Sequence, residues 1–325
     1  MIEYVSRAFF HTLAGSRALH QLASRYGMRS PNSFARRFIA GETIDEAISA
    51  ARAIEANGMT DTLDLLGESV TTMAEADAAT RAYLAMFERI VAAGVDRNVS
   101  LKLTQLGLTI DRATCVDNLR RILDAAAAHN FFVRVDMENS EYTQVTLDIF
   151  ETIWQQGYRD AGIVLQAYLK RSADDVTRMN ALGARVRLVK GAYQEPKAVA
   201  FQRKGDVDAS FVHLMQLLLE QGTYPAVATH DPDMIAATRS FAAARLIAPD
   251  RYEFQMLYGI RRDLQRSLRD GGHRVRVYVP FGREWFPYFM RRLGERPANI
   301  GFVINGLLRE RRTRAQAMKS TPSGS

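Results

Sequence analysis

Beyond Thr62, short apolar runs of strand length alternate with longer stretches whose apolar residues recur at helical spacing. The runs expected to be strands are residues 63–67, 98–103, 131–136, 163–168, 186–190, 226–229, 252–257 and 275–279. Amphipathic helical patterns lie between them, as at residues 73–93, 114–129, 145–156 and 211–221. Regular alternation of β and α implies parallel strands joined by right-handed crossovers. Eight such units predict an α/β protein of the (β/α)8 TIM-barrel type. An open doubly wound sheet is the alternative.

The sixty residues before this pattern are helical in character, with breaks at Gly27 and at Ser30-Pro31-Asn32. Thr43 followed three residues later by Glu46 predicts a capping box. After the eighth strand, Pro280-Phe281-Gly282 precedes an expected helix over residues 283–294, and residues 299–314 suggest one more. The tail Ser320-Thr321-Pro322-Ser323-Gly324-Ser325 has a disordered composition. The resulting division is an N-terminal helical addition at 1–60, a barrel at 61–312 and a disordered tail at 313–325.

Composition narrows the class. With 325 residues, 47% apolar and 24% charged, the chain can bury one full-sized core. Cys115 is the single cysteine, which excludes internal disulfides and thiolate clusters and suits a reducing compartment. Its position suggests only packing in an Ala-rich helix. No apolar run reaches the roughly 18 residues that span a bilayer. The N-terminus carries Glu3 and lacks a secretory pattern, so a cytoplasmic location is expected.

The net charge is +7, much of it from Arg309, Arg311, Arg312, Arg314 and Lys319. These could form a solvated helix face, a weak contact with an anionic membrane, or a nucleic-acid site. The absence of interleaved aromatics argues against the last. No HExxH, HxH or Cys/His cluster supplies a metal site, so no metal is expected. There is no GxGxxG after a strand, no Walker A sequence and no GxSxG elbow.

In barrels of this type chemistry gathers at the C-terminal ends of the strands. Those ends here read Glu68-Ser69, Lys102, Asp136-Met137-Glu138, Gln166, Lys190-Gly191-Ala192-Tyr193, Thr229-His230-Asp231 and Tyr278. One or two such endings would be caps, whereas a full ring suggests a site. Lys102 should point into the mouth, where it could form a Schiff base, bind an anion or pair with an acid. Asp136 and Glu138 could cap loops or pair with a nearby arginine. His230 could be a loop residue, a ligand contact or an acid–base group.

On the last helix, Tyr288, Arg291, Arg292 and Glu295 share one face by their spacing. Two adjacent arginines among aromatics could take a carboxylate bidentately, or one could simply pair with Glu295.

Together these motifs resemble bacterial proline dehydrogenase in its short, monofunctional form. Five segments carry the resemblance: Ser100-Leu101-Lys102-Leu103, Val133-Arg134-Val135-Asp136-Met137-Glu138, Val164-Leu165-Gln166-Ala167-Tyr168, Arg187-Leu188-Val189-Lys190-Gly191-Ala192-Tyr193 and Tyr288-Phe289-Met290-Arg291-Arg292-Leu293-Gly294-Glu295. It spans about residues 60 to 312, with the preceding helices in keeping. Gln194 departs from the Trp of long-form relatives, and Gly294 from a commoner Leu or Ala.

The resemblance implies a distorted barrel holding FAD, its last helix lying over the mouth. It implies that Lys102, Arg291 and Arg292 bind the carboxylate of L-proline, and that Tyr278 and Tyr288 pack on its ring. Met137, Gln166, Lys190, Gly191, Ala192, Thr229 and His230 would line the cofactor. Arg187 would sit near flavin N5, and Asp136 would organise the polar network beside the substrate.

The implied partners are a quinone acceptor at an anionic membrane surface, touched transiently from the cytoplasmic side, and a downstream pyrroline-5-carboxylate dehydrogenase. A nucleic-acid partner is not implied. The rival from residue chemistry is an aldolase or lyase with Lys102 as Schiff-base lysine and Asp136 as its acid–base partner. A binding protein with an inactive site is the third reading.

Overall fold

The computed structural model describes Met28 and residues 33–295. Two compact units divide the chain: Ala40–Gly282 form one, and Met1–Ile39 with Arg283–Ser325 form the other.

The larger unit opens with α1 (Ile44–Glu55) and then repeats a β–α unit. The strands are β1 (Thr60–Leu65), β2 (Asn98–Leu101), β3 (Phe132–Val135), β4 (Ala161–Gln166), β5 (Arg185–Val189), β6 (Ala226–Ala228), β7 (Glu253–Leu257) and β8 (Val275–Phe281). The helices between them are α2 (Met73–Ala93), α3 (Arg112–Ala128), α4 (Ser140–Gln155), α5 (Ser172–Leu182), α6 (Lys204–Gln221), α7 (Pro232–Ala244) and α8 (Arg262–Asp270). Every strand pairs in parallel with its neighbours in sequence, and β8 returns to β1 over Thr60↔Arg276 to Leu65↔Phe281. The sheet is therefore a closed barrel, which overturns the open doubly wound alternative.

Boundaries shift where polar residues mask or end a strand. β1 begins at Thr60, because Thr60, Asp61 and Thr62 pair with β8 despite their polarity. β2 ends at Leu101, and Lys102 already belongs to the turn that Gln105 closes on its carbonyl.

Local sequence sets the helix starts. Thr43 Oγ1 accepts from the Glu46 N–H while the Glu46 carboxylate accepts from the Thr43 N–H, the expected capping box. Thr72 and Glu75 repeat it at α2. Each such cap contributes about 1 kcal/mol. α2 stops at Gly94, whose φ of 69° ends the helix in the left-handed region that a glycine adopts without strain. α1 packs on β1 and β8, so it covers the outside of the seam where the barrel closes.

The strands are buried on both faces. Outward residues such as Leu63, Val99, Ile163, Leu188 and Val277 join the apolar core beneath the helices. Many inward positions are polar instead, among them Thr62, Asp64, Ser100, Arg134, Arg187, Gln255 and Tyr278, with Phe132, Val164, Ala226 and Ala228 between them. Arg187 on β5 hydrogen-bonds to Ser100 on β2 and Gln255 on β7, neither of which neighbours β5. Only the barrel interior allows such contacts.

In the second unit, α9 (Trp285–Glu295) carries a cluster of aromatic rings. Trp285 meets Phe289 edge-on at 5.7 Å, and Phe38 lies 6.4 Å from Phe289. The expected helix at residues 299–314, the basic residues from Arg309 onward, the tail and the breaks at Gly27 and Pro31 lie outside the described residues. Among the described residues no helix is long and apolar enough to cross a membrane.

Candidate active site

Asp136 is the centre of the polar mouth. It follows β3 and its N–H still bonds the Leu101 carbonyl at 2.8 Å, so its backbone is held by the ladder. One carboxylate oxygen accepts from Arg187 Nη1 at 2.8 Å, the other from the Tyr278 hydroxyl at 2.9 Å. Arg187 also donates to Ser100 Oγ at 3.1 Å and to Gln255 Oε1, and its guanidinium carbon lies 5.2 Å from the Tyr278 ring centre. Side chains from β2, β7 and β8 and the residue after β3 thus fix one arginine of β5. Burial lifts the Tyr278 phenol far above its ordinary range, with Asp136 and Asp64 adding to it, so Tyr278 stays a neutral donor.

Lys102 stands beside this cluster, with Nζ 3.4 Å from Asp64 Oδ1. Burial pulls its pKa down, but Asp64, Asp136 and Glu68 outweigh that and hold it above the ordinary lysine value. The side chain is therefore an ammonium. Glu138, two residues after Asp136, accepts from Thr104 Oγ1 at 3.0 Å, and burial pushes its carboxyl up to about 7 against that bond and Lys102.

The ends of β4, β5 and β6 form an adjoining strip. The Gln166 side-chain amide donates to the Glu138 backbone carbonyl at 2.8 Å, and the Gln166 backbone carbonyl accepts from the Ser172 hydroxyl. Lys190 pairs with Asp208 and, at 2.7 Å, with Asp231. Gly191 has φ of 115°, and a Cβ there would lie 2.4 Å from the Tyr168 ring, so only glycine fits. Ala192 follows it, half-buried. Thr229 Oγ1 accepts from the Asp231 N–H at 3.1 Å. His230 Nε2 accepts from the Leu257 N–H at 2.9 Å, tying the end of β6 to β7. Met137 packs in the apolar core.

Tyr288, Arg291 and Arg292 belong to α9 in the other unit. Tyr288 is buried, and the Arg292 guanidinium lies 5.3 Å from its ring centre. The Glu295 side chain lies outside the described residues.

Several partners escaped the sequence reading: Asp64 for Lys102, Ser100 and Gln255 for Arg187, and Asp208 and Asp231 for Lys190. A signal was present for Asp64 and Gln255. Strands of a parallel barrel are ordinarily near-continuous apolar runs, yet β1 reads Thr60-x-Thr62-x-Asp64 and β7 reads Glu253-x-Gln255.

The model of the family described as proline dehydrogenase matches residues 47–305. Proline dehydrogenase 1 of Bacillus subtilis (strain 168) is 41% identical over 304 residues, covering 94% of this chain and 99% of that protein. The chain belongs to the proline dehydrogenase family. Proline dehydrogenase of Deinococcus radiodurans is 40% identical over 313 residues, covering 95% of this chain and 100% of its own. Among solved structures, proline utilization A from Bdellovibrio bacteriovorus, inactivated by N-propargylglycine, superposes with a TM-score of 0.74 at 30% identity. That match covers 80% of this chain and 32% of the larger protein, of which this chain spans about a third.

Membership of the proline dehydrogenase family does not support the aldolase or lyase reading, and the geometry gives the reason. A Schiff-base lysine must be a neutral amine, whereas the carboxylates of Asp64, Asp136 and Glu68 favour the charged form of Lys102. Among the described residues no cluster of His, Cys, Asp or Glu could hold a metal ion. Cys115 is buried against the Leu103 carbonyl, and burial pushes its thiol up to about 12, so it packs as a small apolar residue.

Proposed function

We propose that this chain oxidises L-proline to Δ1-pyrroline-5-carboxylate with FAD, passes the electrons to a quinone, and so begins proline catabolism. The observation that carries the reading is Asp136 held between Arg187 and Tyr278 at the mouth of the barrel, in a chain of the proline dehydrogenase family.

The residues at the ends of β4, β5 and β6 fit an anionic dinucleotide. Gln166, Lys190 and Thr229 lie at three neighbouring strand ends, with Arg187 further inside β5, and Gly191 keeps its backbone free of a side chain beside the Tyr168 ring. This strip does the work that a GxGxxG turn does in other folds. Met137, Ala192 and His230 complete the lining in this reading. Bound there, the flavin supplies the hydride acceptor.

The protein's own task is orientation. Asp64 takes one of the three ammonium donors of Lys102, leaving two for a substrate carboxylate. Tyr278 then packs on the pyrrolidine ring. Fixing the carboxylate in this way turns a diffusive encounter into an oriented one. The amine must be neutral, so that its lone pair forms the C=N bond as hydride leaves C5. The rate should therefore rise with pH as the substrate nitrogen loses its proton.

We place the protein in the cytoplasm, touching an anionic membrane surface transiently to reach quinone. A pyrroline-5-carboxylate dehydrogenase would consume the product.

An absorption spectrum before and after anaerobic proline tests the reading. Yellow protein bleached by proline is the expected result. Colourless protein with a borohydride-trappable lysine would restore the Schiff-base reading. Colourless protein without one would leave a binding function.

A further inference from the structure

Gln255 on β7 stands between two charged groups with opposite hydrogen-bonding capacity. Its Oε1 accepts from Arg187 Nε, and its Nε2 donates to Glu253 Oε1. Glu253 also takes Arg276 Nε on both oxygens at 3.0 and 3.2 Å, and Arg276 Nη1 donates to Asp96 at 2.6 Å. An unbroken chain of bonds therefore runs through the barrel, from Asp136 at the mouth, through Arg187, Gln255, Glu253 and Arg276, to Asp96. Arg187, Gln255 and Glu253 are 4%, 3% and 3% exposed, so water does not replace these partners.

An amide suits this span because it both donates and accepts. A guanidinium only donates and a carboxylate only accepts. Burial alone would push the Glu253 carboxyl up, but Arg276, Gln255 and Arg134 outweigh it and hold it below its ordinary value. Glu253 thus stays an acceptor, and the Gln255 amide has one satisfied orientation. Turning it over would set an NH2 group against the Arg187 guanidinium and an oxygen against a carboxylate. Both buried bonds would be lost together.

We propose that Gln255 is a positioning residue for Arg187, and that Glu253, one turn of the pleat deeper in the barrel, fixes the Gln255 amide in the orientation that does so. The proposal rests on the preceding reading, in which Arg187 stands beside the reacting centre. Without the acceptor on Nε, the guanidinium keeps Asp136 and Ser100 but loses the third side of its clamp, so its orientation at the mouth is no longer set.

The test uses purified enzyme with its flavin. Gln255→Met keeps length and volume and removes both bonds. It should lower kcat with proline about tenfold, leave KM within about twofold, and shift the flavin reduction potential measured against a reference dye. Glu253→Gln alone should lower kcat about threefold, yet add nothing in the Gln255→Met background, where no amide remains to be oriented.

A role confined to stability would lower the melting temperatures additively while kcat per bound flavin and the potential stayed unmoved, and that outcome overturns the proposal. Should Gln255→Met not fold, Glu253→Gln decides alone: kcat and potential must both change. A wild type that proline does not bleach removes the parent reading and this proposal with it. An active wild type alongside an unaffected Gln255→Met removes the proposal only.

Discussion

Tyr278 does two jobs through one side chain. Its hydroxyl holds Asp136, and its ring lies against the Arg187 guanidinium. In the proposed site that ring also fills the space that a 4-hydroxyl on the pyrrolidine would need. Burying such a hydroxyl without a partner costs ~1–3 kcal/mol, so proline should be preferred to trans-4-hydroxyproline by about tenfold to a hundredfold in kcat/KM. Tyr278→Ser should erode that preference, mainly by lowering activity on proline. Equal turnover of both substrates by the wild type would withdraw the assignment.

The Lys102–Asp64 pair allows a second separation of roles. Lys102→Met should raise KM for proline and, by leaving a buried carboxyl unpaired, lower the melting temperature; removing one member of a buried pair costs about 3–5 kcal/mol. Adding Asp64→Asn should recover much of the stability but none of the KM. If the double variant restores KM as well, Lys102 acts only through the fold.

At the scale of elements, the site depends on where strands end. Asp136 and Lys102 lie one residue beyond β3 and β2, where the ladder still directs the backbone but the side chain is released into the mouth. The loop after β5 is tied down in turn by Glu195, which accepts from the Ser140 N–H at 2.7 Å at the start of α4. This bond satisfies an N-terminal amide of that helix from another loop and links the loop carrying Gly191 to the loop carrying Met137 and Glu138.

α9 makes its own contribution testable. If Arg291 and Arg292 each bind the substrate carboxylate, Arg291→Met or Arg292→Met removes a charge-assisted contact worth roughly 1.5–3 kcal/mol, and KM should rise about tenfold to a hundredfold. Flavin content should remain near that of the wild type. Wild-type KM in both variants would reduce the pair to a structural feature of the helix.

For the molecule as a whole, the inward side chains of Thr62, Asp64, Ser100, Arg134, Arg187, Gln255 and Tyr278 each keep at least one hydrogen-bond partner, as Asp64 does with Lys102 and Arg134 with two backbone carbonyls, but Asp61 on the other face of β1 has none. It is fully buried, and neither carboxylate oxygen has a hydrogen-bond partner. Burial, then Asp96 and Glu55, push its pKa up to about 8 against the pull of Arg276.

A folded-state pKa above the unfolded one means the native protein holds the proton more tightly. The stability this confers is complete below the ordinary carboxylate range. It is lost as pH rises toward 8, by up to about 1.4 kcal/mol per pH unit. Asp61→Asn cannot titrate. Its stability relative to the wild type, measured by denaturant melts, should therefore increase steadily from pH 5 to 8 and then level. A difference constant across that window would show that Asp61 is not protonated in the native state.

The periodicity of the chain was enough to place all eight strands, because each outward face had to be apolar against a helix and each helix had to repeat its apolar residues every three to four positions. Thr43 and Glu46 announced their cap for the same reason: the bond is local. Residue type alone also marked Lys102, Asp136 and Tyr278, since charged or phenolic groups at strand ends of a barrel have few purely structural uses, whereas Arg187, inside β5, was marked only by the family resemblance.

Tertiary structure decided which of them meet. Nothing along the chain says that Arg187 closes on Asp136, 51 residues away, or Tyr278 on the same carboxylate, 142 residues away. Strand closure brings β3, β5 and β8 to one interior, and only there do the depth of burial and the strength of pairing take their values. Asp64 and Gln255 were legible as polar interruptions in buried strands, but their roles were not. A group that must be satisfied inside a protein takes its meaning from the partner the fold places opposite it.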